Sequence, residues 1–406
     1  MSKKYKIIIL MVLLASVAAV TPYLRKQYFS YKFDQVLVEA AKIDPYSWDR
    51  KYQEATTKDK YRIVIVTNNG GERSYSDYLK FAAERMGWEV KIFFNQTMGH
   101  EPEIISFDPD FILFSPYTDN REMSMDIYSH RSKKYILALS PLQFMLGAKI
   151  KRKPPFMPMN SPESGTFDKL VSFSHGVLTS SKEIDFYRQM FENKKKPFYG
   201  LYVLPVAPES NFEPAEPHSL MWMSGGWDKF RSSSNYKKFI NKLSENVPLK
   251  VYGHYYAASF LNPGVYDGYI PSSIEIINAL RANGIYLLSH SDKHIDAATP
   301  TLRIFEAVSA NVVVISDKHP FAIEHFGDNF LYYDQNADSD VMYAQVKSHM
   351  DWIKQNPEKA KAMAAKAHQI FLDKFTLEKD LIRIAKMHEF ILEEEKKLGL
   401  RYSPAY

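Results

Sequence analysis

From Tyr61 onward the chain alternates short, nearly unbroken apolar runs with longer stretches whose apolar positions recur every three or four residues. The runs are Tyr61 to Thr67, Trp88 to Phe94, Phe111 to Ser115, Tyr135 to Leu139, Val177 to Ser180 and Leu201 to Leu204. A strand with one face in water alternates polar and apolar positions, so runs without alternation predict parallel strands buried on both faces. Helical spacing lies between them, as at Ser74 to Met86 and Lys182 to Phe191, and this alternation predicts a doubly wound α/β sheet. A proline-rich stretch without periodicity, Pro205 to Pro217, then reads as a linker. Beyond it the pattern restarts, with strands at Leu220 to Ser224, Leu249 to Tyr252, Ile285 to Ser289, Val312 to Ser316 and Phe330 to Tyr333. The helices fall near Ser233 to Leu243, Ser272 to Arg281 and Pro300 to Ala310. From Val341 to Leu398 the pattern is helical only, interrupted near Pro357 and Phe375. The predicted organisation is two doubly wound domains, 60–205 and 218–340, joined by a linker at 206–217 and followed by helices over 341–406. Ligands in such sheets sit beyond the carboxyl ends of the strands, so site residues are sought in loops that follow strands.

Composition narrows the partners. The 406 residues are 45% apolar and 24% charged, which suits a globular chain with two cores. The 52 basic and 47 acidic residues leave a net charge of only +5, with no arginine-rich stripe, which argues against nucleic acid as a partner. The absence of cysteine excludes disulfides, thiolate metal sites and cysteine nucleophiles. At the N-terminus, Lys3, Lys4 and Lys6 precede an apolar run from Ile7 to Val20, shorter than the roughly 20 residues that span a bilayer. Residues 1–34 are read as a signal peptide or membrane anchor with a juxtamembrane stretch. Ala18 and Ala19 suit cleavage, and the aromatic and basic residues from Tyr23 to Lys32 suit interfacial anchoring. A single-pass or N-terminally anchored membrane protein is expected, with export after cleavage as the alternative.

The segment richest in chemistry runs from Thr299 to Asp317. Thr299 can cap a helix whose first residue is Pro300, leaving free N–H groups at its start. On that helix Leu302, Phe305 and Val308 form an apolar stripe, and Glu306 lies at its edge. Spacing alone equally allows Glu306 to pair with Arg303 at i,i+3 on a solvated face. Asn311 tolerates left-handed geometry and can end the helix before Val312 to Ile315 enters the sheet.

Pro300-Thr301-Leu302-Arg303-Ile304-Phe305-Glu306-Ala307-Val308, followed by Val312 to Asp317, resembles the C-terminal-domain signature of GT-B glycosyltransferases of group 1, in particular its CgeB-like branch. The resemblance implies two facing Rossmann-like domains with a helical C-terminal extension. It implies transfer of a sugar from a UDP- or GDP-type nucleotide sugar to a glycan, lipid or protein acceptor, with no other cofactor. It makes Glu306 the ligand of the nucleotide ribose, with Thr301, Leu302 and Arg303 lining the phosphate and sugar region at the helix start. Two positions depart from the pattern: Ala298 stands where many retaining relatives carry a second glutamate, and Asn311 where a glycine is common.

Further pieces fall where the family places its site. Gly225-Gly226 follows the first strand of the second domain, where backbone N–H groups can approach a diphosphate and Lys229 or Arg231 can supply charge. The ends Val251-Tyr252-Gly253-His254 and Tyr266 to Pro271 correspond to the family's base-packing loops, with Tyr269 and Ile270 as the base contacts. In the first domain Asn69, Gly70 and Gly71 follow the first strand and are expected on the acceptor side. His100, Asp119 and His175 each follow or border a strand and are the candidates for a general base. Asp108-Pro109-Asp110 mimics a metal-binding D-x-D but precedes a strand, the wrong end of the sheet, so charge on the leaving diphosphate is assigned to Lys229, Arg231, Arg303 and helix dipoles rather than to a metal. A tethered bilobal binding protein and a catalytically inactive GT-B scaffold are the alternatives to an enzyme.

Overall fold

The structure, a computed structural model, describes residues 44–68, 72–94, 97, 99–116, 125–141, 166–224, 231–270 and 273–399. Strands β1 (Arg62–Thr67), β2 (Glu89–Phe94), β3 (Phe111–Phe114), β4 (Lys133–Ala138), β5 (Gly176–Thr179) and β6 (Gly200–Tyr202) form one sheet in the order β2-β1-β3-β4-β5-β6. A second sheet contains β7 (Ser219–Ser224), β8 (Leu249–Gly253), β9 (Tyr266–Gly268), β10 (Gly284–Leu288), β11 (Val313–Asp317) and β12 (Leu331–Tyr333), in the order β12-β11-β10-β7-β8-β9. Every pairing is parallel.

The helices that cross between strands of the first sheet are α1 (Arg73–Arg85), α2 (Glu101–Phe107), α3 (Met125–Ser129), α4 (Thr166–Phe173) and α5 (Ile184–Asn193). In the second domain they are α6 (Ser234–Asn246), α7 (Tyr255–Ala258), α8 (Ser273–Asn283), α9 (Asp292–Asp296), α10 (Leu302–Ser309) and α11 (Pro320–Phe326). Covered on both sides, β4, β10 and β11 are buried at every residue, which is why the runs Tyr135 to Ala138, Ile285 to Leu288 and Val313 to Ile315 are apolar without alternation. β9 was not expected. It has three residues, includes Gly268 and lies half exposed at the sheet edge, where short strands are the rule and a period-2 signal cannot develop.

Each sheet reverses its strand order once, between β1 and β3 in the first and between β7 and β10 in the second. Crossovers leave in opposite directions at such a point, so the loops part and open a crevice at the carboxyl edge.

The tail is not a free-standing extension. α12 (Ser339–Gln355) packs on α6 and α13 (Pro357–Lys374) on α10, which completes the second domain. α14 (Leu377–Lys397) then returns to the first domain and packs along α1. There Arg383 donates to Asp49 Oδ2 at 2.7 Å, to Asp380 Oδ1 at 2.6 Å and to the Tyr202 carbonyl at 2.7 Å. Lys133 Nζ lies 2.5 Å from Glu395 Oε2, and Tyr61 donates to Glu389 Oε1 at 2.8 Å.

Between the domains, 205–217 carries no helix or strand, as expected of a linker, but it is strapped down rather than loose. Val206 and Ala207 are fully buried, the Ala215 N–H donates to the Asn311 carbonyl at 2.9 Å, and the Ser210 hydroxyl donates to the Ser309 carbonyl at 2.7 Å. Asn311 does end its helix in the left-handed region, at φ 52°. Among the described residues no helix is long and apolar enough to cross a membrane, and the segment 1–34 lies outside them.

At the start of β10 the linker leaves no room for a side chain. Gly284 has φ +76°, and a Cβ there would stand 1.8 Å from the Glu216 carbonyl oxygen. Gly284→Ala is therefore expected to lower unfolding free energy by more than about 2 kcal/mol, read as a shift of the urea midpoint at constant slope.

Candidate functional site

The site of the second domain is built on the segment that leaves β10 and ends in α10. Ala298 takes a left-handed conformation at φ 49°, turning the chain ahead of the helix. The helix itself begins at Leu302 with Thr301 as its N-cap and no side-chain capping bond, two residues later than Thr299 and Pro300 predicted. Thr299 is held elsewhere: its carbonyl accepts from His294 Nδ1 at 2.9 Å and from His319 Nε2 at 3.2 Å. His319 Nδ1 accepts the Phe321 N–H at 3.2 Å, which leaves its Nε2 as the donor. Burial pushes His294 down to about 3, and burial with the nearby His290 and His294 pushes His319 well below the usual histidine range. Both imidazoles are neutral donors here.

Glu306 has no exposed surface. Arg303 Nη1 donates to its Oε2 at 2.5 Å, so the i,i+3 pair exists, but inside the seam between domains rather than on a solvated face. From the first domain, the Tyr78 hydroxyl on α1 lies 3.2 Å from Glu306 Oε1 and donates to the Ser273 carbonyl at 2.6 Å. A lone buried carboxylate would be costly, and the guanidinium offsets that. Burial acts to lower Arg303, but Glu306, with Tyr286 and Tyr78, raises it above its ordinary range. The rest of α10 is buried nearly all round, with Ile304, Phe305, Ala307 and Val308 at 1% exposure or less, while Leu302 of the predicted stripe is only half buried. α8 and α13 enclose the helix, so it buries more than one stripe.

At the reversal of the second sheet, the pairing of Leu288 with Ser316 sets His290 beside Asp317. His290 Nδ1 bonds Asp317 Oδ1 at 2.8 Å, and the His290 backbone N–H donates to Oδ2 of the same carboxylate. Its Nε2 is buried without a hydrogen-bond partner among the described residues, and the His319 ring lies 4.4 Å away. The positive charge of Arg231 bears on Tyr236, Tyr286 and His294 around the same edge. Sequence reasoning missed this dyad because its members are 27 residues apart. The available signal was the repeated polar pair, Ser289-His290 and Ser316-Asp317, at the ends of two apolar runs.

The other predicted residues are placed as follows. Thr301 lies half buried at the start of α10. Tyr269 is 59% exposed beyond β9, with its ring 5.0 Å from that of His254, and Ile270 is half buried beside it. His100 is exposed at the N-cap of α2, its ring 5.0 Å from Phe93. His175 requires a correction. It precedes β5 at the amino edge of the sheet, away from the reversal crevice, where its Nδ1 accepts the Lys134 N–H at 3.2 Å and burial pushes it well below the usual range. Asp108 and Asp110 also sit at an amino edge, as expected. Asp108 pairs with Arg62 and Arg131, and Asp110 accepts from the Arg62 N–H at 2.8 Å. Gly225, Gly226, Lys229, Asp119, Asn69, Gly70 and Gly71 lie outside the described residues.

One residue that sequence reasoning passed over stands at the reversal of the first sheet. Glu72 Oε2 accepts from the Ser115 hydroxyl and from Asn68 Nδ2, the latter at 3.2 Å, and burial pushes its carboxyl up to about 7.

Residues 231–386 match a family model described as glycosyl transferase-like. No curated protein matches the chain. Among solved structures, it is similar to a sucrose-phosphate synthase from Thermosynechococcus elongatus at 9% identity and a TM-score of 0.49, over 84% of this chain and 99% of that one. A glycosyltransferase from Rickettsia africae ESF-5 is similar at 13% identity and 0.44, over 85% and 100%. Anabaena HepE in complex with UDP and glucose is similar at 11% identity and 0.45, over 83% and 99%.

The histidines around Thr299 carry a pH signature. Unfolded, they take up a proton near 6.5, whereas native His294 resists protonation down to about 3. The unfolded state thus binds more protons between these values, and stability falls as pH drops through that window. Urea midpoints between pH 7 and pH 5 are expected to fall less for His294→Asn, whose amide can keep the bond to Thr299, than for the unaltered chain.

Proposed function

The chain has the GT-B glycosyltransferase fold, and its second domain carries the glycosyl transferase-like segment; from that premise we propose that it transfers a sugar from a nucleoside-diphosphate sugar to an acceptor hydroxyl on a glycan, lipid or protein. The observation that carries this reading is the convergence of Arg231, Arg303 and Glu306 on the carboxyl edge of the second sheet, next to its reversal. A nucleotide needs an acceptor for its ribose hydroxyls and positive charge for its phosphates. Glu306 has lone pairs beyond those used by Arg303 and Tyr78, and the two arginines supply the charge. Charge building on the leaving diphosphate would be met by these arginines and the start of α10, which makes a metal dispensable. Tyr269 and His254, their rings 5.0 Å apart and tilted by 33° at the outer end of the same edge, offer a platform for the base. The apolar run at the N-terminus is read as a membrane tether.

With Glu306 fully covered, nucleotide binding requires Tyr78 to move off the carboxylate, and this couples binding to the separation of the two domains. Calorimetry of the soluble part with UDP and GDP is expected to show binding of at least one. Glu306→Gln should weaken it by about 1–3 kcal/mol through loss of charge-assisted bonds, with thermal melting run alongside to show that the variant folds. No binding of any nucleoside diphosphate to the unaltered protein would overturn the proposal.

A further inference from the structure

Glu72 occupies the N-cap position of α1, where a carboxylate ordinarily turns back to accept from its own helix. It makes no such bond. Its side chain instead reaches the ends of β1 and β3, where Asn68 and Ser115 both donate to Oε2. Oε1 is left without a partner among the described residues. These are the two strands between which the first sheet reverses, the place where an open α/β sheet receives a ligand. Beside the carboxylate lies a cavity of about 10 Å³, lined also by Thr67, Tyr75, Ser76 and Ser115, roughly the room one water or one hydroxyl needs by that measure.

We propose that Glu72 is the base that takes the proton from the acceptor hydroxyl. The proposal rests on the glycosyltransferase reading above and deepens it. In the step, the hydroxyl oxygen bonds to the anomeric carbon of the donor sugar and its proton passes to Glu72. The bond from that carbon to the diphosphate breaks, and its electron pair leaves with the nucleoside diphosphate. A single displacement of this kind inverts the anomeric configuration.

The surroundings suit the task. Among the described residues the side chains that bond Glu72 or line its cavity are neutral, Asn68 and Ser115 bonding it and Tyr75 being the other titratable group there, while the neighbouring Arg73 lies near Asp77 and over the Phe94 ring. Burial dominates over the bond from Ser115, and a carboxyl that titrates near neutral pH is matched to accepting a proton there. Position along α1 matters as well. Tyr78, which covers Glu306, stands six residues further along the same helix, about 9 Å along its axis, so the movement that uncovers the nucleotide ligand also carries the base with it.

The test uses the full chain with UDP-glucose and GDP-mannose as donors and water as the acceptor, reading nucleotide release against pH, with nucleotide binding measured separately by calorimetry. The unaltered protein is expected to turn over faster as pH rises through about 7, where the carboxyl becomes a carboxylate. Glu72→Gln should lower kcat by at least about 100-fold and flatten the profile, with nucleotide affinity within about twofold. Ser115→Ala removes a bond that holds the carboxyl pKa down, so its profile should shift to higher pH, a change that a packing role would not produce. Retained turnover in Glu72→Gln, an unshifted profile in Ser115→Ala, or no release from either donor by a chain that binds nucleotide would each overturn the proposal and leave nucleotide binding standing. Failure to bind any nucleotide would instead overturn the underlying reading.

Discussion

Arg383 ties the C-terminal helix α14 to the first domain. Its guanidinium reaches Asp49 near the start of the described chain, the Tyr202 carbonyl at the end of the first sheet and Asp380 on its own helix, all within 2.7 Å. Removing one partner of this partly buried cluster would leave the other charges short of hydrogen bonds, so α14 cannot drift from the first domain without loss. The helix before it packs on α10 and β11 of the second domain. The position of one sheet's carboxyl edge against the other therefore follows from this docking, and with it the meeting of Tyr78, Ser273 and Glu306.

Two carboxylates sit in contrasting settings, Glu306 at that seam and Glu72 at the reversal of the first sheet. Glu306 has a guanidinium 2.5 Å away and a tyrosine hydroxyl from the opposite domain, an arrangement that favours accepting hydrogen bonds at a fixed place. Among the described residues Glu72 has the neutral donors Ser115 and Asn68 and a small cavity, an arrangement that favours exchanging a proton. The difference arises from which strand ends lie alongside, not from the residue type.

The second reversal is organised by neutral histidines. His294 and His319 pin the Thr299 carbonyl, and His290 is oriented by Asp317. Because burial keeps the first two uncharged, they hold the turn that leads into α10 without adding charge beside Arg231 and Arg303.

What the sequence determined by itself was the class of fold and the segment worth watching. Unbroken apolar runs separated by helical spacing can be satisfied only by strands covered on both faces, and the segment around Glu306 was recognisable because its residues are contiguous. The pairing of Glu306 with Arg303 was legible too, since i,i+3 neighbours on a helix must meet, though spacing could not say whether water would surround them. Tertiary structure decided the rest. The burial of Glu306 depends on α14 drawing the domains together, the His290–Asp317 dyad on the register of β10 with β11, and the setting of Glu72 on β3 lying next to β1. Those groups come from chain positions far apart in sequence, and a local pattern records no distance between strands that only the sheet brings side by side.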